Sequence, residues 1–174
     1  MITSIPGHLI SRMCSVQIMR MGQGVEWALH CCLNLAWVGD AVPGARLAGF
    51  YDLPAAYLNK QLQTLVRAGI CESVPGPRGG FRLARPTEQV SLLDVVVAVE
   101  GPEDAFRCTS ILGAAPGGDP ALDYSGHCAI SLSMRSAELA WRRELAGRSL
   151  ADVAADGVRT TPEAPQRVRA ALAP

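Results

Sequence analysis

The stretch AAYLNKQLQTLVRAG, residues 55–69, runs directly into ICESVPGPRGGFRLARP, residues 70–86, and the two together decide the fold. Leu58, Leu62 and Leu65 recur at helical spacing and predict one apolar face, with Tyr57, Lys60, Gln61 and Thr64 turned elsewhere. Gly69 is placed to close that helix. Next come two short β-like runs, ICESV and FRLA, on either side of PGPRGG, a turn-rich tip that carries Arg78. Upstream, Pro43 opens a short helix over GARLAGFY, and YDLP makes a tight connection to the Leu-striped helix. Two helices with a brief turn and then a basic hairpin predict a winged helix-turn-helix.

Working outward, the run from Val25 to Val38 is apolar, free of Gly and Pro, and predicts a helix buried on most sides. Downstream, SLLDVVVAVEG predicts another helix, with Ser91 as its cap and Asp94 three residues on. Periodicity then dissolves through a Gly-, Pro- and Asp-rich stretch, and helix returns with Ile130, Met134, Ala137 and Trp141 near one stripe. The fold class is therefore mainly α with a small β-hairpin wing. Residues 1–18 are read as an N-terminal extension or a misassigned start, and 19–100 as the winged helix-turn-helix domain. The loop spans 101–128, a long helix seeking a second subunit 129–156, and a polar, mobile tail 157–174.

About half of the 174 residues are hydrophobic and 18% are charged, which is the balance of a folded domain. No run reaches the ~18 apolar residues of a membrane span, and no basic start leads into an apolar leader, so a cytoplasmic location is the default expectation. Net charge is zero, but it is segregated. Residues 43–86 carry Arg46, Lys60, Arg67, Arg78, Arg82 and Arg85 against Asp52 and Glu72, whereas 87–106 carry five acids and no base. That basic segment suits a phosphate-facing module. Six cysteines without any CxxC pair argue against a zinc ribbon or a thioredoxin-like motif.

Two places could hold chemistry. In GVEWALHCC, residues 24–32, Glu26 and His30 share one helical face, and Trp27 and Cys31 share another. Cys31 and Cys32 diverge by about 100° on a helix, so they read as small core residues rather than redox partners. In the loop, Cys108 and Cys128 follow no apolar periodicity. They could chelate a metal, form a regulatory disulfide, or do neither. Two thiolates leave an iron–sulfur cluster short of ligands, and Glu26 with His30 are one pair that could complete it.

The runs GVEWALHCCLNLA, AAYLNKQLQTLVRAGICESVPGPRGGFRLARP and SLLDVVVAVEGP, with Trp141 and SLADV further on, resemble the Rrf family of winged-helix transcriptional regulators, the group of IscR and NsrR. The resemblance covers roughly residues 19–155 and makes Met19 the natural start. It implies a homodimer whose long helices cross and whose two winged helices read a palindromic operator in double-stranded DNA. Many members hold an iron–sulfur cluster on three loop cysteines; this loop offers only two. In that departure the chain is similar to the RsrR-type redox sensors. Their pattern implies a 2Fe–2S cluster held by Cys108 and Cys128 of one subunit and by Glu26 and His30 of the other, with His127 as the rival nitrogen ligand. For DNA, the start of the recognition helix offers Tyr57, Asn59, Lys60 and Gln63, and the wing offers Arg78. Arg67 and Arg82 suit phosphate contacts or structural pairs.

The expected function is thus a DNA-binding regulator that senses redox state or nitric oxide. The alternative is a cluster-free regulator switched by a Cys108–Cys128 disulfide. A small redox enzyme is disfavoured, because the chain has no cofactor motif, no Gly-rich phosphate loop and no base positioned beside a nucleophile.

Overall fold

The computed structural model describes residues 21–173. The reading of 1–18 as an extension lies outside the described residues. Helix α1, Gln23–Val38, ends at Gly39 in the left-handed conformation. Helix α2, Gly44–Phe50, and helix α3, Ala55–Arg67, follow as the helix-turn-helix pair. Strands β1, Cys71–Val74, and β2, Gly80–Leu83, pair antiparallel with Cys71 opposite Leu83 and Val74 opposite Gly80.

The wing is anchored as well as paired. Val42 exchanges two backbone hydrogen bonds with Phe81, each 2.9 Å, so the turn between α1 and α2 adds a third rung to the hairpin. That approach is why glycine stands at position 80. A Cβ there would lie 2.2 Å from the Val42 carbonyl oxygen, and φ is +153°.

The Leu stripe of α3 packs as its spacing predicts. Leu58, Leu62 and Leu65 are fully buried against Leu35 of α1, Leu47 of α2 and Ile70 at the head of the wing. Each such side chain contributes about 1.5–3 kcal/mol. Gln61 departs from the expectation. It is buried where α3 meets α1, with Gly24 leaving room for its amide.

Helix α4, Leu92–Glu100, opens with the predicted box. The Ser91 hydroxyl accepts from the Asp94 backbone N–H, and the Asp94 carboxylate accepts from that of Ser91. Residues 101–128 are irregular apart from one short 3-10 turn, Ile111–Ala114. Helix α5, Ala129–Ala146, follows.

Here the expected boundaries change. The long helix does not run to 156; it stops at Gly147, and a second capping box, Ser149 with Asp152, starts α6, Leu150–Thr160. The segment 157–174, read as a mobile tail, finishes α6 and then forms α7, Ala164–Leu172. Val168 and Leu172, one turn apart, are buried against α1 and α2. Pro165 sits in the first turn of α7, where its missing N–H costs nothing. Arg46 of α2 donates to the carbonyl oxygens of Leu172 and Ala173, at 3.3 and 2.8 Å. In turn, Arg169 of α7 donates to the carbonyl of Trp37, 3.2 Å, near the end of α1.

Candidate functional site

Helix α1 divides its chemistry by face. Cys31 and Cys32 are fully buried, as the sequence predicts, and meet Cys71 from the wing. Burial, reinforced by Cys71, pushes the Cys31 thiol up to about 12. Hydrogen bonding to Cys71, then burial, raises Cys32 well above the ordinary thiol value. Thiols held protonated in this way are inert packing groups.

The opposite face carries Glu26 and His30, both exposed. Asn34 continues the same stripe one turn further and is buried. Its side-chain N–H donates to the hydroxyl of Tyr51 at 2.7 Å. The Tyr51 ring packs on His30 with centroids 5.7 Å apart and planes tilted by 57°. Burial pushes the Tyr51 phenol up to about 12, against the opposing effect of the Asn34 hydrogen bond. Trp27 meets Tyr57 edge to face at 5.2 Å. Asn34 and Tyr51 are not among the residues the sequence marks out. An Asn in an otherwise apolar run, four residues after His30, was the signal available.

The loop thiols differ from the core ones. Cys108 and Cys128 are free and half-buried, and Cys128 caps α5. Arg142 ties the start of the loop to α5. It donates to Glu138 Oε1 at 2.8 Å and to the carbonyls of Pro102 and Glu103 at 3.0 and 3.1 Å. The Gly22 backbone N–H donates to Glu100 at 2.9 Å, so the start of α1 sits beside the point where the loop departs. His127 is exposed next to Cys128. Among the described residues of this one chain, no three His, Cys, Asp or Glu side chains gather as a metal site. Cys108, Cys128, Glu26 and His30 are thus not brought together within a single chain.

On α3, Tyr57, Asn59, Lys60 and Gln63 are exposed, and Arg78 is exposed at the wing tip. Tyr57 is not free, since its ring rests on Trp27. Of the six cations in the basic segment, Arg82 pairs with Glu72 at 2.5 Å and Arg85 approaches Asp94 at 4.0 Å. Arg46 is engaged with α7. Lys60, Arg67 and Arg78 form no ion pair among the described residues. A bare helix face beside a basic wing is the geometry that enters a major groove.

Residues 21–156 match the Rrf2 family, described as an iron-dependent transcriptional regulator. The chain belongs to the Rrf2 family. This Rrf2 chain is 31% identical over 137 residues to YwgB of Bacillus subtilis (strain 168), named for an HTH-type transcriptional regulator, covering 78% of the chain and 84% of YwgB. It is 29% identical over 109 residues to the HTH-type transcriptional regulator IscR of Escherichia coli O1:K1 / APEC, covering 62% and 67%. Among solved structures, T. potens IscR superposes with a TM-score of 0.63 at 18% identity, over 82% of this chain and 91% of that one. An oxidised form of Staphylococcus aureus CymR gives 0.57 at 25% identity, over 78% and 96%. This Rrf2 protein is accordingly a transcriptional regulator with a DNA-binding winged helix, from a family of regulators rather than enzymes. Among the described residues, no helix is long and apolar enough to cross a membrane.

Proposed function

We propose that this Rrf2 regulator acts as a homodimer on a palindromic operator and senses redox state or nitric oxide through a 2Fe–2S cluster. Its ligands are Cys108 and Cys128 of one subunit with Glu26 and His30 of the other. The supporting observation is the sorting of donors. Among the described residues, Cys31, Cys32 and Cys71 are buried in the fold, whereas the loop thiols Cys108 and Cys128 and the Glu26–His30 pair remain accessible. The donor chemistry fits, since two thiolates, a carboxylate and an imidazole complete four positions on two irons.

When bound, the cluster supplies one-electron chemistry. This chain's own residues do the rest. Arg142 of α5 pins the loop where it leaves α4, and α1 carries Glu26 and His30 on the helix that packs against α3. A coupling of about 1–3 kcal/mol between the two sites changes operator affinity roughly 5- to 150-fold. The open apolar side chains of α5, with Ile130 66%, Leu132 47% and Leu139 55% exposed, suit a second copy. On DNA, Asn59, Lys60 and Gln63, with the hydroxyl of Tyr57, face base edges, and Arg78 reaches the backbone or minor groove.

The deciding experiment is iron and acid-labile sulfide analysis of anaerobically purified protein, with the visible spectrum before and after dithionite. Iron, sulfide and a bleachable absorption are expected. Colourless protein without either element, even after reconstitution, overturns the cluster. Glu26→Ala and His30→Ala should each alter the spectrum; if neither does and His127→Ala does, the nitrogen ligand is His127.

A second reading rests on Cys108 and Cys128 being free and half-buried: a reversible disulfide switches DNA binding without a cluster. Colourless protein whose affinity changes on oxidation, with a Cys108–Cys128 crosslink by mass spectrometry, would establish it.

A further inference from the structure

The turn between α2 and α3 aims the recognition helix, and it is fastened to the stripe on α1 that carries His30. Tyr51 closes α2. Asp52 follows with φ +53°, a left-handed conformation uncommon outside glycine, and Pro54 caps α3. The Leu53 N–H donates back to the Ala48 carbonyl at 2.9 Å, which leaves the connection no slack. Tyr51 is therefore joined rigidly to the first turn of α3, where Tyr57 lies. Its ring lies on His30, and its hydroxyl is held by buried Asn34, on the same face of α1.

We infer that Tyr51 is a positioning residue. Latched to α1 by Asn34, it transmits the placement of the His30 ring to the pitch of the recognition helix. This inference rests on the proposed ligand role of His30 only for what moves the ring; the latch belongs to the chain itself. It makes the α1 stripe a three-part device, in which Glu26 and His30 receive the signal and Asn34 keeps the receiver of the motion in register. Ring contacts of this kind couple by about 0.5–1.5 kcal/mol, or roughly two- to tenfold in affinity per subunit.

The test is a double-mutant cycle on full-length protein freed of iron by chelation, so that it does not depend on any cluster. The probe is a labelled duplex selected from a random pool by the wild-type protein, read by fluorescence anisotropy. In the wild-type background His30→Ala should change affinity for that duplex about fivefold. In the Tyr51→Leu background the same change should fall below about twofold, and Tyr51→Phe, which keeps the ring but loses the Asn34 hydrogen bond, should lie between. Equal effects of His30→Ala in all three backgrounds, or none in the wild type, overturn the inference. If Tyr51→Leu does not fold, as judged by circular dichroism, the Tyr51→Phe cycle decides alone. An iron-free wild-type protein defeats the cluster reading and leaves this result standing, so the two failures are distinguishable.

Discussion

Arg46 of the first helix-turn-helix helix holds the carbonyls that close α7, donating to Ala173 O at 2.8 Å across 127 residues of sequence. The C-terminal helix α7 is thereby part of the DNA-binding head. Removing residues 161–174 strips cover from the α1–α2 surface that receives Val168 and Leu172. It should destabilise the protein by on the order of 3–5 kcal/mol. Arg46→Gln should cost roughly 1 kcal/mol. Urea midpoints at constant slope would show both, and an unchanged midpoint for the truncation would refute the role of α7.

The same engagement thins the basic face. With Arg46, Arg82 and Arg85 occupied, Lys60, Arg67 and Arg78 are the cations left for phosphate in this segment. For a dimer this predicts that log affinity falls against log salt with a slope no steeper than about −5. Titration from low to moderate salt measures it, and Lys60→Ala should reduce the slope. A slope near −10 would mean that other cations join the interface.

Thiol reactivity should sort by place in the fold. In native protein, Cys108 and Cys128 should alkylate well before Cys31, Cys32 and Cys71, and all six cysteines of the chain should react after denaturation. Peptide mapping by mass spectrometry reads the order. Early labelling of Cys32 would contradict its burial and its raised pKa.

Alkaline pH should destabilise the fold. Cys31 rises from 9.0 to about 12 and Tyr51 from 10.0 to about 12. The folded state therefore binds more protons than the unfolded chain, and stability falls as pH rises. The loss should begin near pH 9, where unfolded thiols ionise, and continue towards 12, at about 1.4 kcal/mol per pH unit for each group in its window. Melting temperatures measured from pH 7 upward test this, and Cys31→Ala should flatten the decline above pH 9.

Each capping box should be worth about 1 kcal/mol, so Ser91→Ala and Ser149→Ala should lower stability by similar amounts. The two boxes also show what the sequence discloses and what it hides. SLLD at 91–94 predicts a helix start, and SLAD at 149–152 has the same form. The second is masked, because the surrounding charged residues continue a helical pattern on both sides. The Leu stripe of α3 and the Gly-rich wing were legible because local periodicity and turn chemistry suffice to define them. Helix α7 was not, since its reason for folding is the surface of α1 and α2, more than a hundred residues away in sequence. At the candidate site, the faces of Glu26, His30, Cys31 and Cys32 followed from helical geometry alone. The fastening of Tyr51 to Asn34 joins two helices and has no local signature beyond a misplaced polar residue.

The Leu92 N–H bonds the Arg148 carbonyl at 2.9 Å, and the Leu150 N–H bonds the Val90 carbonyl at 2.8 Å. The chain therefore returns, after the loop and α5, to the place from which α4 set out. Everything from the start of α4 up to that return is an arm with both roots in one socket. Closing such an arm costs only about 0.6 kcal/mol more for each doubling of its length. The head can thus carry arms of different length and chemistry with little change in its own stability, which separates evolution of the signal from evolution of the operator.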